Sequence, residues 1–240
     1  MEDGSGKPQR VLLKLSGEVL AGSEGRGFHR DTVYRIAGVL MEAAAGGIEI
    51  GVVTGGGNFA RGREISGFTR TTADYIGMLA TVMNCLAVSD AVKRHGGRSA
   101  VLSSIPVPEA GADVFAPGRA RELFEQGYLL FFAGGTGNPF LSTDTAAALR
   151  AVQTGCEVLY KGTKVDGIYS KDPKTCKDAV RFQRLTYGEV LGKKLQVMDA
   201  ASVAVCRDNG LPIVVFDVTE PENFLEILNS HSSGTLVEGD

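Results

Sequence analysis

Short apolar runs rich in β-branched residues alternate along this chain with segments whose apolar residues recur at helical spacing, and this alternation narrows the possible folds more than any other feature. Val11 to Leu15, interrupted by one lysine, and Ile48 to Val53 read as buried strands. Between them Val33, Ile36, Ala37, Leu40 and Ala44 keep helical spacing from a polar start at Asp31 to a Gly46-Gly47 stop, completing a β-α-β unit. The pattern continues with a long helix near Ala73 to Arg94, a strand near Ser99 to Leu102, a helix near Gly118 to Gln126 and a strand near Tyr128 to Ala133. A helix from Thr143 to Gln153 and a strand from Cys156 to Tyr160 come next. Turn signals at Asp166-Gly167 and Asp172-Pro173 then mark an excursion from the sheet. After it come a helix around Met198 to Cys206, an apolar run Pro212 to Phe216, a helix Asn223 to Leu228 and an edge strand Thr235 to Val237. Crossovers between parallel strands put helices on the sheet faces, so the expected class is α/β, with a mainly parallel sheet covered on both sides.

With 240 residues and no linker, repeat or low-complexity stretch, the chain reads as one domain over 1–240, residues 1–9 forming a flexible polar tail. Hydrophobic residues at 43% and charged residues at 22% fit a compact soluble protein. Lys and Arg number 25 against 28 Asp and Glu, a formal charge of -3, which leaves no basic surplus for a nucleic-acid backbone. Cys85, Cys156, Cys176 and Cys206 form no CxxC pair and read as buried free thiols in a reducing compartment. The tail lacks the apolar core of a secretory signal, and no apolar run reaches the roughly 18 residues a bilayer needs. The expectation is a cytoplasmic protein without membrane or nucleic-acid partners.

Within the long helix, Ile76, Leu79, Ala80, Met83 and Ala87 form one apolar face, which Met78, Val82, Cys85 and Leu86 widen. Such a helix is covered on several sides, either inside the core or between subunits.

In an open parallel sheet, ligands collect at the carboxyl ends of the strands, where loops feed helix N-termini whose free N–H groups attract phosphates. Three such ends here are rich in glycine or followed by it: Lys14-Leu15-Ser16-Gly17, Gly55-Gly56-Gly57-Asn58 with Arg61 one turn on, and Gly134-Gly135-Thr136-Gly137-Asn138. They combine backbone donors with a lysine, an arginine and hydroxyls, the groups that offset charge in a phosphoryl transition state. No GxxxxGK[ST] loop occurs, and GxGxxG fails because Asn138-Pro139-Phe140 follows Gly135-Thr136-Gly137, which disfavours a P-loop kinase and a Rossmann dehydrogenase.

Together with Gly77-Met78-Leu79-Ala80-Thr81, Gly135 to Phe140, Lys161 to Tyr169 and Asp172-Pro173, these loops resemble the bacterial UMP kinases of the amino acid kinase family, from about Arg10 to Val237. The resemblance implies a three-layer αβα sandwich in which Mg²⁺-ATP and UMP meet end to end above the sheet. It places Lys14, Leu15, Ser16, Gly17, Gly57, Arg61, Lys161, Thr163, Tyr169 and Asp172 on ATP. Gly56, Asp74, Thr136, Gly137, Asn138, Pro139, Phe140, Leu141, Ser142 and Thr143 would hold UMP. Gly22, Ser23, Glu24, Gly25, Arg26 and Gly27 resemble a loop for an activating GTP, or serve as a plain glycine-rich surface loop. The likeness further implies UTP inhibition, a homohexamer, and Mg²⁺ held mainly by the ATP phosphates rather than by protein ligands. Gly162 departs from the pattern, standing where many members carry a small non-glycine residue and loosening the adenine-side turn.

Lys14, Arg61 and Asp144 are the catalytic candidates. A lysine at a strand end followed by a flexible turn can follow negative charge as it moves; its other reading is a side chain that snorkels out of the sheet. Arg61 is either a phosphate ligand or a solvated helix charge. Asp144 either positions Lys14 or caps the helix it opens, and Asp74 either accepts from the ribose hydroxyls or caps the long helix. An acetylglutamate, carbamate or aspartate kinase, and a nucleotide-binding sensor without catalysis, are the competing functions.

Overall fold

The computed structural model describes residues 8–60, 66–195, 197–230 and 233–239. In chain order the elements are β1 (Arg10–Leu15), α1 (Gly17–Leu20), α2 (Arg30–Ala45), β2 (Glu49–Thr54), α3 (Arg70–Arg94), β3 (Ser99–Ser103), β4 (Ala112–Val114), α4 (Pro117–Glu125) and β5 (Leu129–Ala133). There follow α5 (Thr143–Thr154), β6 (Val158–Thr163), β7 (Arg184–Leu185), α6 (Tyr187–Gly192), α7 (Ala200–Asp208), β8 (Ile213–Asp217), α8 (Asn223–Asn229) and β9 (Thr235–Val237). The described strands make one sheet in the order β4-β3-β5-β2-β1-β6-β8-β9-β7, parallel except where β9 runs against β8.

Strand periodicity explains the three layers. Side chains alternate between faces, so Val11, Leu13 and Leu15 of β1 enter one apolar cluster while Leu12 enters the other. The same division holds for Leu129, Phe131 and Ala133 against Leu130 and Phe132 in β5. The first cluster is completed by α2, α3 and α8 through residues such as Leu40, Val88 and Phe224, and the second by α4, α5, α6 and α7 through Phe124, Ala148, Val190 and Val203. A strand buried on both faces is apolar almost throughout, so the polar positions of β1 and β6 stand out.

β1 lies between β2 and β6, and the chain builds outward from it first on one side and then on the other. That makes the carboxyl end of β1 the switch point of the sheet, where loops part and leave a crevice. β4 and β7, at the two sheet edges, and the helices α1 and α6 went unanticipated because each is too short to show a clear period. β6 begins two residues later than expected and extends to Thr163, which puts Lys161 inside the strand.

By length and composition alone α3 is able to cross a membrane, contrary to the sequence expectation; here 56% of its apolar window is buried. Ala73, Met78, Val82, Cys85, Val88 and Val92 face the protein, whereas Tyr75, Leu79 and Met83 are exposed at helical spacing. Cys85, Cys156 and Cys206 are buried free thiols as expected, but Cys176 is only half-buried.

Candidate active site

Lys14 and Lys161 are direct neighbours across the β1–β6 ladder. Alternation puts both on the α5 side of the sheet. Two ammonium groups on adjacent parallel strands, about 5 Å apart along the hydrogen-bonding direction, need an anion between them. Asp144, in the first turn of α5, supplies it: Lys161 Nζ donates to Oδ2 at 2.6 Å and Lys14 Nζ lies 2.8 Å from Oδ1. Lys161 also donates to the Val197 carbonyl. Burial pushes the Asp144 carboxyl up, but the charges of Lys14 and Lys161 outweigh it and hold the group below its usual range. Burial and the Lys14 charge lower the Lys161 ammonium, and Asp144 and Asp199 offset this only in part. Oδ1 has no aligned hydrogen-bond donor among the described residues. Lys14 is therefore held at Asp144 chiefly by charge.

Asp144 does not cap its helix. Ser142 does, accepting from the Asp144 and Thr145 amides while its hydroxyl donates to Asp199. Asp199 also accepts from Thr145 Oγ1 and caps α7 through the Ser202 amide at 2.9 Å, tying together the two helix starts that border the lysine pair.

A cavity of about 470 Å³ opens above the carboxyl end of β1, lined by Lys14, Ser16, Gly17, Gly55, Gly56, Gly57, Arg70, Asp74, Gly135, Leu141, Ser142 and Thr143 among others. Gly17 has to be glycine: a Cβ there would meet the Gly55 carbonyl at 2.4 Å and Asn58 Oδ1 at 2.5 Å, so the loops after β1 and β2 touch only because it is bare. Leu15 is buried in the core, so any contact from it is made by its backbone. Asp74 lies inside α3, because the helix starts at Arg70 and Thr69 caps it. Its Oδ2 accepts from Arg70 Nε and from the Phe140 amide, each at 2.8 Å, which fastens the loop after β5 to α3. Thr136, Gly137, Asn138, Pro139 and Phe140 do not line the cavity. Thr136 and Asn138 bond to each other, and Phe140 is exposed at φ 71°.

A second cavity, of about 570 Å³, is lined by Thr163, Tyr169 and Asp172, with Val165, Ile168, Lys194, Leu195 and Val197 among the rest. Tyr169 donates its hydroxyl to Asp166 at 2.7 Å. Lys161 stands at the inner side of its wall, bonded to the Val197 carbonyl. Gly162 is no turn residue: it pairs with Phe216 inside the sheet, and a Cβ there would approach Val218 to 2.8 Å. The glycine therefore permits close packing and does not loosen a turn. Gly22 to Glu24 form a single exposed helical turn, and the Gly27 amide donates to the Asn58 carbonyl, which links this loop to the second glycine loop. Arg61 lies outside the described residues.

The family model of the amino acid kinase family matches residues 9–217. The chain belongs to the amino acid kinase family. Among its relatives, the uridylate kinase of Paramagnetospirillum magneticum is 48% identical over 236 residues, 98% of each chain. The uridylate kinase of Agrobacterium fabrum is 48% identical over 237 residues, 97% of this chain and 98% of the relative. The solved UMP kinase of Bacillus anthracis superposes with a TM-score of 0.93 at 34% identity, covering 98% of this chain and 97% of the other. That of Ureaplasma parvum gives 0.91 at 29% identity, covering 96% and 99%.

Arg70, Asp199 and Lys194 also border the two cavities or the lysine pair. Arg70 and Asp74 carry a signal, opposite charges four apart on a helix, but the apolar period that marks this helix begins only at Ala73. Asp199 ahead of Ser202 is a cap signal. Lys194, at the edge of the second cavity, has a φ of 52° because it is the left-handed residue that ends α6, where its own amide and that of Leu195 bond back to the Leu191 and Val190 carbonyls.

Proposed function

We propose that this amino acid kinase transfers the γ-phosphoryl group of ATP to UMP, giving ADP and UDP and so serving pyrimidine nucleotide synthesis. The observation that carries the reading is the Lys14–Asp144–Lys161 chain, which starts in one cavity and ends against the wall of the other. ATP occupies the second cavity, with its base near Thr163, Tyr169 and Asp172, and extends its phosphates toward Lys14, Ser16, Gly17 and Gly57. UMP takes the first cavity against Gly56, Asp74, Leu141, Ser142 and Thr143, and the loop from Thr136 to Phe140, which does not line it, is assigned to UMP by its motif alone. As charge passes to the transferred group, Lys14 moves with it, while Asp144 supplies the counter-charge and offsets part of the burial that lowers the Lys161 ammonium. Arg61 is assigned to the same phosphates by its motif.

Among the described residues no three His, Cys, Asp or Glu side chains group as metal ligands, and both Asp144 oxygens face lysines. The site fits a Mg²⁺ ion that would arrive on the ATP phosphate oxygens and would there offset phosphate charge. The chain forms one domain and acts in the cytoplasm as a homo-oligomer, a hexamer by family likeness, that buries Tyr75, Leu79 and Met83. GTP activates through Gly22 to Gly27, and UTP inhibits.

An ADP-release assay across UMP, CMP, dUMP, carbamate, aspartate and acetylglutamate tests the reading. UMP should be the best acceptor by a wide margin. Turnover with an acyl acceptor and none with UMP would refute it.

A further inference from the structure

Among the described residues, Arg150 is a buried charge without a carboxylate partner. It projects from α5, is 6% exposed, and takes part in none of the ion pairs among the described residues. A buried cation without a carboxylate is costly, since nothing replaces the water it loses. Burial alone drops its pKa to about 10. Its guanidinium lies 3.9 Å from the centre of the Phe115 ring, Nη1 donates to Gln153 Oε1 at 2.6 Å, and Nε has no partner.

The remaining contacts all lead to one place. Nη2 donates to Ser104 Oγ at 2.5 Å and points at the Gly135 carbonyl at 3.5 Å, while Ser104 Oγ itself donates to that carbonyl at 2.9 Å. Gly135 borders the first cavity and stands one residue before Thr136. Its neighbour Gly134 is fixed on the other side, its amide donating to Thr81 Oγ1 at 2.8 Å. In a trans peptide the C=O and N–H point in opposite directions. Anchoring the Gly135 carbonyl on Ser104 and Arg150 therefore aims the Thr136 N–H away from that clamp. A charged donor behind the carbonyl also polarises the peptide, which strengthens its N–H as a donor.

We propose that Arg150 is a positioning residue for the acceptor nucleotide: with Ser104 it clamps the carbonyl of Gly135, a residue that lines the first cavity, and so fixes the wall against which UMP is held. The proposal rests on UMP as acceptor. Arg150 touches no substrate, and its effect is confined to the acceptor side, since its contacts do not reach the second cavity.

The test compares Arg150→Met and Ser104→Ala with the wild type in steady-state kinetics, each nucleotide varied in turn. Both variants should raise KM for UMP, by about tenfold for Arg150→Met and about threefold for Ser104→Ala, with KM for ATP within about twofold of wild type. The double variant should be no worse than Arg150→Met alone, because the two act through one carbonyl. A merely structural role would instead lower the active fraction, reducing turnover with both KM values unchanged. That outcome, or an equal rise in both KM values, overturns the proposal. If Arg150→Met fails to fold, Ser104→Ala decides, because it keeps the buried charge and removes the relay. Wild type that does not phosphorylate UMP refutes the functional assignment; wild type that does, beside variants with an unchanged UMP KM, refutes only the role of Arg150.

Discussion

Replacing Asp144 with asparagine removes the single negative charge between two buried ammonium groups and leaves the volume unchanged. The side chains of Lys14, Asp144 and Lys161 are 11%, 14% and 11% exposed, so solvent screens the set little. At an effective dielectric near 20, each contact at 2.6 to 2.8 Å represents a gross attraction of about 6 kcal/mol. Desolvation cancels much of this, and breaking a buried pair by removing one partner typically costs about 3–5 kcal/mol. At roughly 2–4 °C per kcal/mol for a chain of this size, Tm should fall by about 6–20 °C. Turnover should fall by about two orders of magnitude, because Lys14 loses the group that places it. The pH profile carries the sharpest signature. Burial and Lys14 already lower the Lys161 pKa, and Asp144 is the larger of the groups raising it. With Asp144 gone that pKa falls further, so the alkaline limb of kcat moves to lower pH. The wild type should keep the stability of the pair down to a pH below the usual carboxylate range, since the Asp144 pKa is depressed and the contribution is lost only as pH falls through it. Differential scanning calorimetry and a pH–rate profile read both effects. A variant with wild-type Tm and an unmoved alkaline limb would refute the coupling.

Lys14→Ala should lower turnover by about a hundredfold while barely changing UMP affinity by calorimetry, since its charge acts as the transition state forms; near-normal turnover in a folded variant would contradict this. Asp74→Asn should weaken UMP by about 1–2 kcal/mol and dUMP much less, because a ribose hydroxyl loses an ionised acceptor; helix capping does not enter, Thr69 being the cap, and an equal loss for both nucleotides would exclude the 2′-hydroxyl. Leu79→Asp, placed in the exposed stripe of α3, should reduce the mass found by light scattering, and a wild type that is already monomeric at micromolar concentration would show that the stripe covers no partner.

The sequence made the layered fold legible because strands buried on both faces leave unbroken apolar runs, and the helices between them keep one period. Lys14 was legible for the same reason, as a charge inside such a run. Its relation to Lys161 was not: pairing depends on which strands are neighbours and in what register, and residues 147 apart carry no local trace of it. Asp144 read as a cap or a counter-charge until Ser142 took the cap. Arg150 was overlooked for a physical reason as well. One arginine in a helix reads as a solvated face, and only the packing of Phe115 and Ser104 around it reveals that it is buried.

Identifying the product is the most direct test of phosphoryl transfer to UMP. With Mg²⁺, ATP and excess UMP, phosphorus NMR should show the ATP γ-resonance replaced, one for one, by the β-resonance of UDP. Loss of the γ-phosphate to inorganic phosphate, with UMP left intact, would contradict it.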